Sequence, residues 1–285
     1  MLKFIIVGRR RPEDSQEVFN YNWGIIHVAL MLTTPIVFQT FKRYVQHYSV
    51  GQVSNDILWH PQSTMQWGHM ADHWMDGPAD LVRNVQDPGY RARMQPHVFF
   101  DPSMLIEFTS GYTVYEKSGF AAGGVKLIHF LKKREDIEQS EFARRWKDEH
   151  APLLLDALRP LGVLRKYVQS PKLALDPAAF KGTLFEMAHF GQYAGIEELW
   201  LTGLDDLTKI ASDRLVFERI RASAACLTDG ESSFAMVAME RVVYDAVTPG
   251  MQSPSPAILN PHSLEALIDA QGCGGWHQPW GGQAP

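Results

Sequence analysis

Rare residues recur in this chain at a constant spacing. Phe19 and Phe142, Trp23 and Trp146, His27 and His150, and Tyr44 and Tyr167 each lie 123 positions apart. Leu2-Lys3-Phe4-Ile5 is echoed by Val125-Lys126-Leu127-Ile128 at the same interval. Further along, Trp74 and Trp200 are 126 apart and Tyr115 and Tyr244 are 129 apart, so two small insertions in the second copy keep the match going. A repeat of this length means one supersecondary unit used twice. The expected organisation is a first copy over 1–120, a second over 121–246, and an arm over 247–285, with Ala121-Ala122-Gly123-Gly124 as the seam.

Each copy reads as strand, helix, strand, strand, helix, strand. Lys3–Val7 and Lys126–Leu131 are the first strands. Helical spacing of apolar residues predicts helices over Ser15–Met31 and Glu138–Leu158. Tyr44 and Tyr167 mark the second strands, Met70–Met75 and Ile196–Leu201 the third. Met104–Tyr115 and Ser233–Tyr244 carry the β-branched and aromatic content of fourth strands. This βαββαβ order is the ferredoxin-like arrangement, an antiparallel sheet with helices on one face. The bare face must be covered. The fold class expected is therefore α+β: two tandem ferredoxin-like repeats whose sheets close into an α+β barrel within one chain, plus the C-terminal arm. The arm holds six prolines, Trp276, Trp280 and a short helix over Leu264–Ala270, and reads as a segment that docks.

The second copy resembles an EthD domain of the dimeric α+β barrel superfamily. The resemblance rests on Lys126-Leu127-Ile128-His129-Phe130-Leu131, on Phe142-Ala143-Arg144-Arg145-Trp146, on Glu149-His150-Ala151-Pro152-Leu153, and on Gly195-Ile196-Glu197-Glu198-Leu199-Trp200. The first copy is a divergent member that keeps Trp23 and His27, and residues 51–68 fall outside the pattern. The resemblance implies either accessory proteins of degradation pathways or cofactor-free enzymes acting on aromatic or polyketide-like compounds.

Candidate chemistry follows from residue type and place. His27 and His150 end the first helix of each copy, where an imidazole could move protons at the barrel mouth or simply bond helix-end carbonyls. Tyr44 and Tyr167 could donate to an oxyanion from the lumen face, or be satisfied interface tyrosines. Asp72 and Glu198 stand two residues before Trp74 and Trp200, so each shares a strand face with an indole. A carboxylate beside an apolar ring is expected to have a raised pKa. His73 and His129 stand where the other copy has Leu199 and Ile6, and the two could meet in one lumen. Trp59, Trp67, Trp74, Phe99 and Trp200 are the candidate aromatic wall for a flat substrate.

No metal pattern such as H-E-x-x-H is present among the 11 histidines, so no metal and no cofactor is expected. Only Cys226 and Cys273 are available, which excludes a four-cysteine zinc site. The net charge of −5 argues against nucleic acid as a partner. The apolar stretch from Ile25 to Val37 is too short and too polar to span a membrane. The expected protein is cytoplasmic, with a homodimer compatible with its free sheet edges. The leading functional expectation is a cofactor-independent lyase on an aromatic or polyketide-like small molecule, eliminating water, carbon dioxide or a small aldehyde. The alternatives are a cofactor-free oxygenase and a non-enzymatic binding protein of a degradation pathway.

Overall fold

Alternation along the first strand sets the architecture. In Leu2–Gly8 (β1), Leu2, Phe4 and Ile6 belong to one apolar core, whereas Ile5 and Val7 belong to another, and all are buried. Both faces of this strand are therefore covered, as a sheet with helices outside and a packed interior requires. The computed structural model describes residues 1–65, 67–96 and 99–248. The expected arm, with its helix over Leu264–Ala270, lies outside the described residues.

The further strands are Phe41–Ser49 (β2), His69–Met75 (β3), Leu105–Thr109 (β4), Tyr112–Glu116 (β5), Val125–Leu131 (β6), Lys166–Pro171 (β7), His189–Phe190 (β8), Gly195–Leu201 (β9) and Phe234–Asp245 (β10). They form one sheet in the order β5-β7-β9-β6-β10-β2-β3-β1-β4-β8. All pairings are antiparallel except β4 with β8. Two long strands join the halves. The start of β10 pairs with β6 and its end with β2. The expected strand over 104–115 is instead two, β4 on β1 and β5 on β7, hinged at Ser110-Gly111. Ser110 also donates its N–H to Pro171 O (3.1 Å), and Thr109 bridges to Lys172. The two ends of the sheet are thus stitched together, and the sheet closes on itself as an α+β barrel.

The helices lie outside the barrel. The first begins at Gln16, where Ser15 Oγ accepts the N–H of Val18 (3.1 Å), a standard N-terminal cap. Its middle, Asn22–His27, is a π-helical stretch, and so is Trp146–His150 in the second half. Such a wider turn changes the face a side chain presents and recurs at functional sites. Here it turns a tryptophan and a histidine onto the sheet in each half.

Leu58 and Trp59 find their place only in three dimensions. Leu58 and Trp59 pack into the core beneath the second-half helices. Phe180 and Phe185, from the excursion between β7 and β8, pack into the core of the first half. Each half lends the other a cover. No helix among the described residues is long and apolar enough to cross a membrane.

Candidate functional site

The barrel interior and the space between sheet and helices are separate environments, and the expected site residues divide between them. Lys3, Asp72, Trp74, Lys126, Glu198, Trp200 and Glu240 face the interior at one end. Ile5, Val7, Met70, Ile128, Phe130 and Met236 fill the other end, with Trp67 packed against them. Tyr44, His73, His129 and Tyr167 face the helices instead, and His27 and His150 come from the helical segments themselves. The expectations that the tyrosines point into the lumen, that His27 and His150 sit at its mouth, and that His73 meets His129 there are therefore corrected. Strand alternation placed these residues together but could not say which face the helices cover.

The interior carboxylates also depart from expectation. Glu198 is buried between two ammonium groups, with Oε2 2.6 Å from Lys3 Nζ and Oε1 2.6 Å from Lys126 Nζ. Burial alone would raise its pKa, but the two lysines hold the carboxyl well below the usual carboxylate range, not above it. Asp72 Oδ2 lies 2.9 Å from Lys3 Nζ. Glu198 is thereby locked as an anion and is a poor candidate for proton transfer. Ligand atoms of His47, Asp72 and Glu198 converge closely enough to hold a metal ion. The ammonium of Lys126, 2.7 Å from His47 Nε2, and that of Lys3 already supply the positive charge such a cluster needs.

Between sheet and helices, the two halves share a frame. Gln46 Nε2 donates to Trp23 O (3.1 Å) and to the Tyr44 hydroxyl (2.8 Å). Gln169 Nε2 donates to Trp146 O (3.1 Å) and to the Tyr167 hydroxyl (2.7 Å). On this frame the second half builds a filled polar cluster around Glu197. The Tyr167 hydroxyl (2.7 Å) and Trp146 Nε1 (3.2 Å) donate to Oε2, and His129 Nδ1 lies 3.1 Å from Oε1. His150 places Nε2 3.5 Å from Oε2 and Nδ1 2.8 Å from Ser223 Oγ. Burial opposes ionisation of Glu197, but the imidazole hydrogen bonds outweigh it and keep the carboxyl well below its ordinary range. Trp59 packs over His129 at a ring separation of 4.7 Å, and His60 at 5.1 Å. The group is sealed.

The first half has Ala71 and Ile6 at the places of Glu197 and His129, and a cavity of about 260 Å³ opens there. Trp23, His27, His73, Tyr90, Phe99 and Phe185 are among its walls. His73 is 3% exposed and is stacked on Tyr44 (4.7 Å, 19° between planes), with Phe41 and Phe4 also in contact. Burial lowers its pKa to about 4, partly offset by Asp72 and by a hydrogen bond with the Phe4 backbone, so the ring is neutral at ordinary pH. Its Nδ1 is buried and has no hydrogen-bond partner among the described residues. His27 is half-buried, with Phe99 4.7 Å from its ring. Burial also pushes the Tyr90 phenol up, keeping it neutral.

Of the five expected wall aromatics, only Phe99 lines this cavity. Trp59 covers the second half, Trp67 plugs the apolar barrel end, and Trp74 and Trp200 lie in the charged end. Sequence reasoning missed Trp23, Tyr90 and Phe185 as walls, and Glu197 as the hub of the second half. The adjacent pair Glu197-Glu198 was the available signal, since neighbours on a strand face opposite ways.

No curated protein matches the chain. Similar solved structures include an anthrone oxidase-like protein, 11% identical with a TM-score of 0.46, covering 88% of this chain and 96% of that one. A mutant chlorite dismutase from Candidatus Nitrospira defluvii is 10% identical, with a TM-score of 0.45 over 94% of this chain and 95% of that one. A heme-binding protein from Thermus thermophilus is 10% identical, with a TM-score of 0.44 over the same shares. In sequence, residues 134–231 match the EthD domain.

Proposed function

We propose that the chain is a cofactor-independent lyase acting on a flat, uncharged aromatic or polyketide-like molecule, and that the first-half cavity is where it acts. The carrying observation is the buried, neutral His73, its Nδ1 without a hydrogen-bond partner among the described residues, in a wall of mostly apolar and aromatic groups. A cavity of about 260 Å³ suits a ligand of one or two rings. A charged ligand would lose its hydration there without a counter-ion.

In this reading His73 removes a proton next to a substrate carbonyl, and the electrons form the new double bond as the bond to a β-hydroxyl breaks. His27, at the more open edge, supplies the proton to the departing oxygen, so water leaves. Tyr90 orients the carbonyl oxygen. Both walls come from one chain, so the reaction needs no second copy.

The test is turnover of hydroxylated aromatic ketones by the full chain, with product analysis under air and under nitrogen. The expected result is loss of water with equal yield in both atmospheres, abolished in His73→Ala. Oxygen-dependent product would instead make the chain a cofactor-free oxygenase. Binding without turnover of any ketone, unchanged in His27→Ala, would leave only a carrier and overturn the enzymatic reading.

A further inference from the structure

We propose that a second cavity, at the apolar mouth of the barrel, is a binding site for a neutral sugar in its pyranose form. The argument is independent of the catalytic reading above.

The cavity measures about 270 Å³ and lies where β2 ends and β10 begins. Gly51, Gln62 and Ser63 wall it from the connection between β2 and β3, Gln16 from the first helix, and Trp67 and Phe234 from the barrel mouth. The connection is braced before any ligand arrives. Gln62 Oε1 accepts the N–H of Val53 (2.8 Å) and Nε2 donates to Gly51 O (3.0 Å). Asn55 Oδ1 accepts the N–H of Gln62 (3.0 Å). Gly51 turns the chain there with a φ of +90°, a left-handed backbone that favours glycine. A preformed wall loses little freedom when a ligand binds.

The chemistry of the wall selects the ligand class by elimination. No lining side chain carries a charge at ordinary pH, because burial lowers the pKa of its one histidine, His69, to about 3. A charged ligand would lose its hydration there without a counter-ion. A wholly apolar ligand would cover polar groups without bonding them. The buried Ser49 Oγ accepts the N–H of Gly51 (3.1 Å), and Ser63 Oγ accepts that of Met65 (3.1 Å). Each hydroxyl therefore keeps its own proton to donate. Gln16 Nε2 donates to Asn20 Oδ1 (2.9 Å), which leaves Gln16 Oε1 to accept from a ligand. Beside these groups, Trp67, Phe234 and Met236 supply apolar surface. A pyranose matches that mixture: its C–H face packs on an aromatic ring, and the hydroxyls on its edge both donate and accept. The cavity has the size of one such ring.

The experiment is saturation-transfer NMR, with calorimetric titration for affinity, on the full chain with the methyl pyranosides of glucose, galactose and mannose. At least one should bind saturably at one site per chain, at about millimolar affinity, the range open to a ligand of so few atoms. Sorbitol, which has the hydroxyls but no ring face, should bind at least tenfold more weakly. Trp67→Ala should weaken sugar binding at least tenfold, and Gln16→Ala about three- to tenfold, the usual worth of one hydrogen bond. Should Trp67→Ala not fold, Gln16→Ala and sorbitol decide. His73→Ala should leave sugar affinity unchanged, which separates this site from the apolar cavity. Absence of saturable sugar binding, equal affinity in Gln16→Ala, loss of binding in His73→Ala, or tighter binding of uridine than of any pyranoside would each overturn the proposal.

Discussion

The two halves place the same tryptophan, tyrosine and glutamine on the same framework and then diverge. In the second half Glu197, His129 and His150 close into a buried group in which each carboxylate oxygen has a donor, and Trp59 seals it. In the first half Ala71 and Ile6 stand in place of the acid and one histidine, and the volume they release is a cavity watched by His73. Even the packing of the tryptophan differs. Gly195 is needed under Trp146, whose ring would meet a Cβ at 2.5 Å, whereas His69 stands at the matching place and meets Trp23 edge-on at 4.9 Å. A polar cluster packed around a carboxylate fills its space as a wall, while a histidine beside an open cavity gives a place for a ligand.

Exchanging the roles of the two histidine sets is the strongest way to break this comparison. His73→Ala should lower turnover by about 10²–10⁴-fold, the usual worth of a general base. His150→Ala should leave turnover within a few fold while lowering the denaturation midpoint. Steady-state kinetics beside urea melts would show both, and the reverse pattern would move the active site to the second half. Next in size, Glu197→Ala strands the donors of Tyr167, Trp146 and His129 in a buried space, and should cost about 3–5 kcal/mol of stability. Ala71→Leu, its counterpart, should change stability by less than about 1.5 kcal/mol yet block ligand binding by filling the cavity.

Acid sharpens the contrast. Unfolded histidine titrates near 6.5, but His73 in the folded chain takes a proton only near pH 4, and His69 only near 3, chiefly because both are buried. Between those values the unfolded chain binds more protons, so stability should fall as pH drops from about 6.5 towards 4. His73→Phe should flatten part of that slope in melts taken across the range. Glu197, held ionised, should lose its contribution only below the ordinary carboxylate range. The smallest effects belong to the shared frame: Gln46→Ala and Gln169→Ala should each cost about 1–2 kcal/mol, alike in the two halves.

Much of the fold was legible because side chains repeat at fixed intervals and strands alternate. β1, β3, β6 and β9 fall within a residue or two of their expected bounds. The pairing of Asp72 with Trp74, and of Glu198 with Trp200, on one strand face also follows from alternation alone. The chemistry of those acids did not, because Lys3 lies 195 positions from Glu198 and only barrel closure brings them to 2.6 Å. Nor could the reach of Leu58 and Trp59 into the opposite half, or of Phe185 into the first, be read from local pattern.

By itself the sequence determined the α+β class and which residues share a strand face, since these depend on local periodicity and on the identity of each side chain. Tertiary structure alone decided which face meets the helices, which acids meet lysines and which half keeps an open cavity. Those outcomes depend on contacts between residues a hundred or more positions apart. Burial then sets the charge of each group through its neighbours rather than through its type.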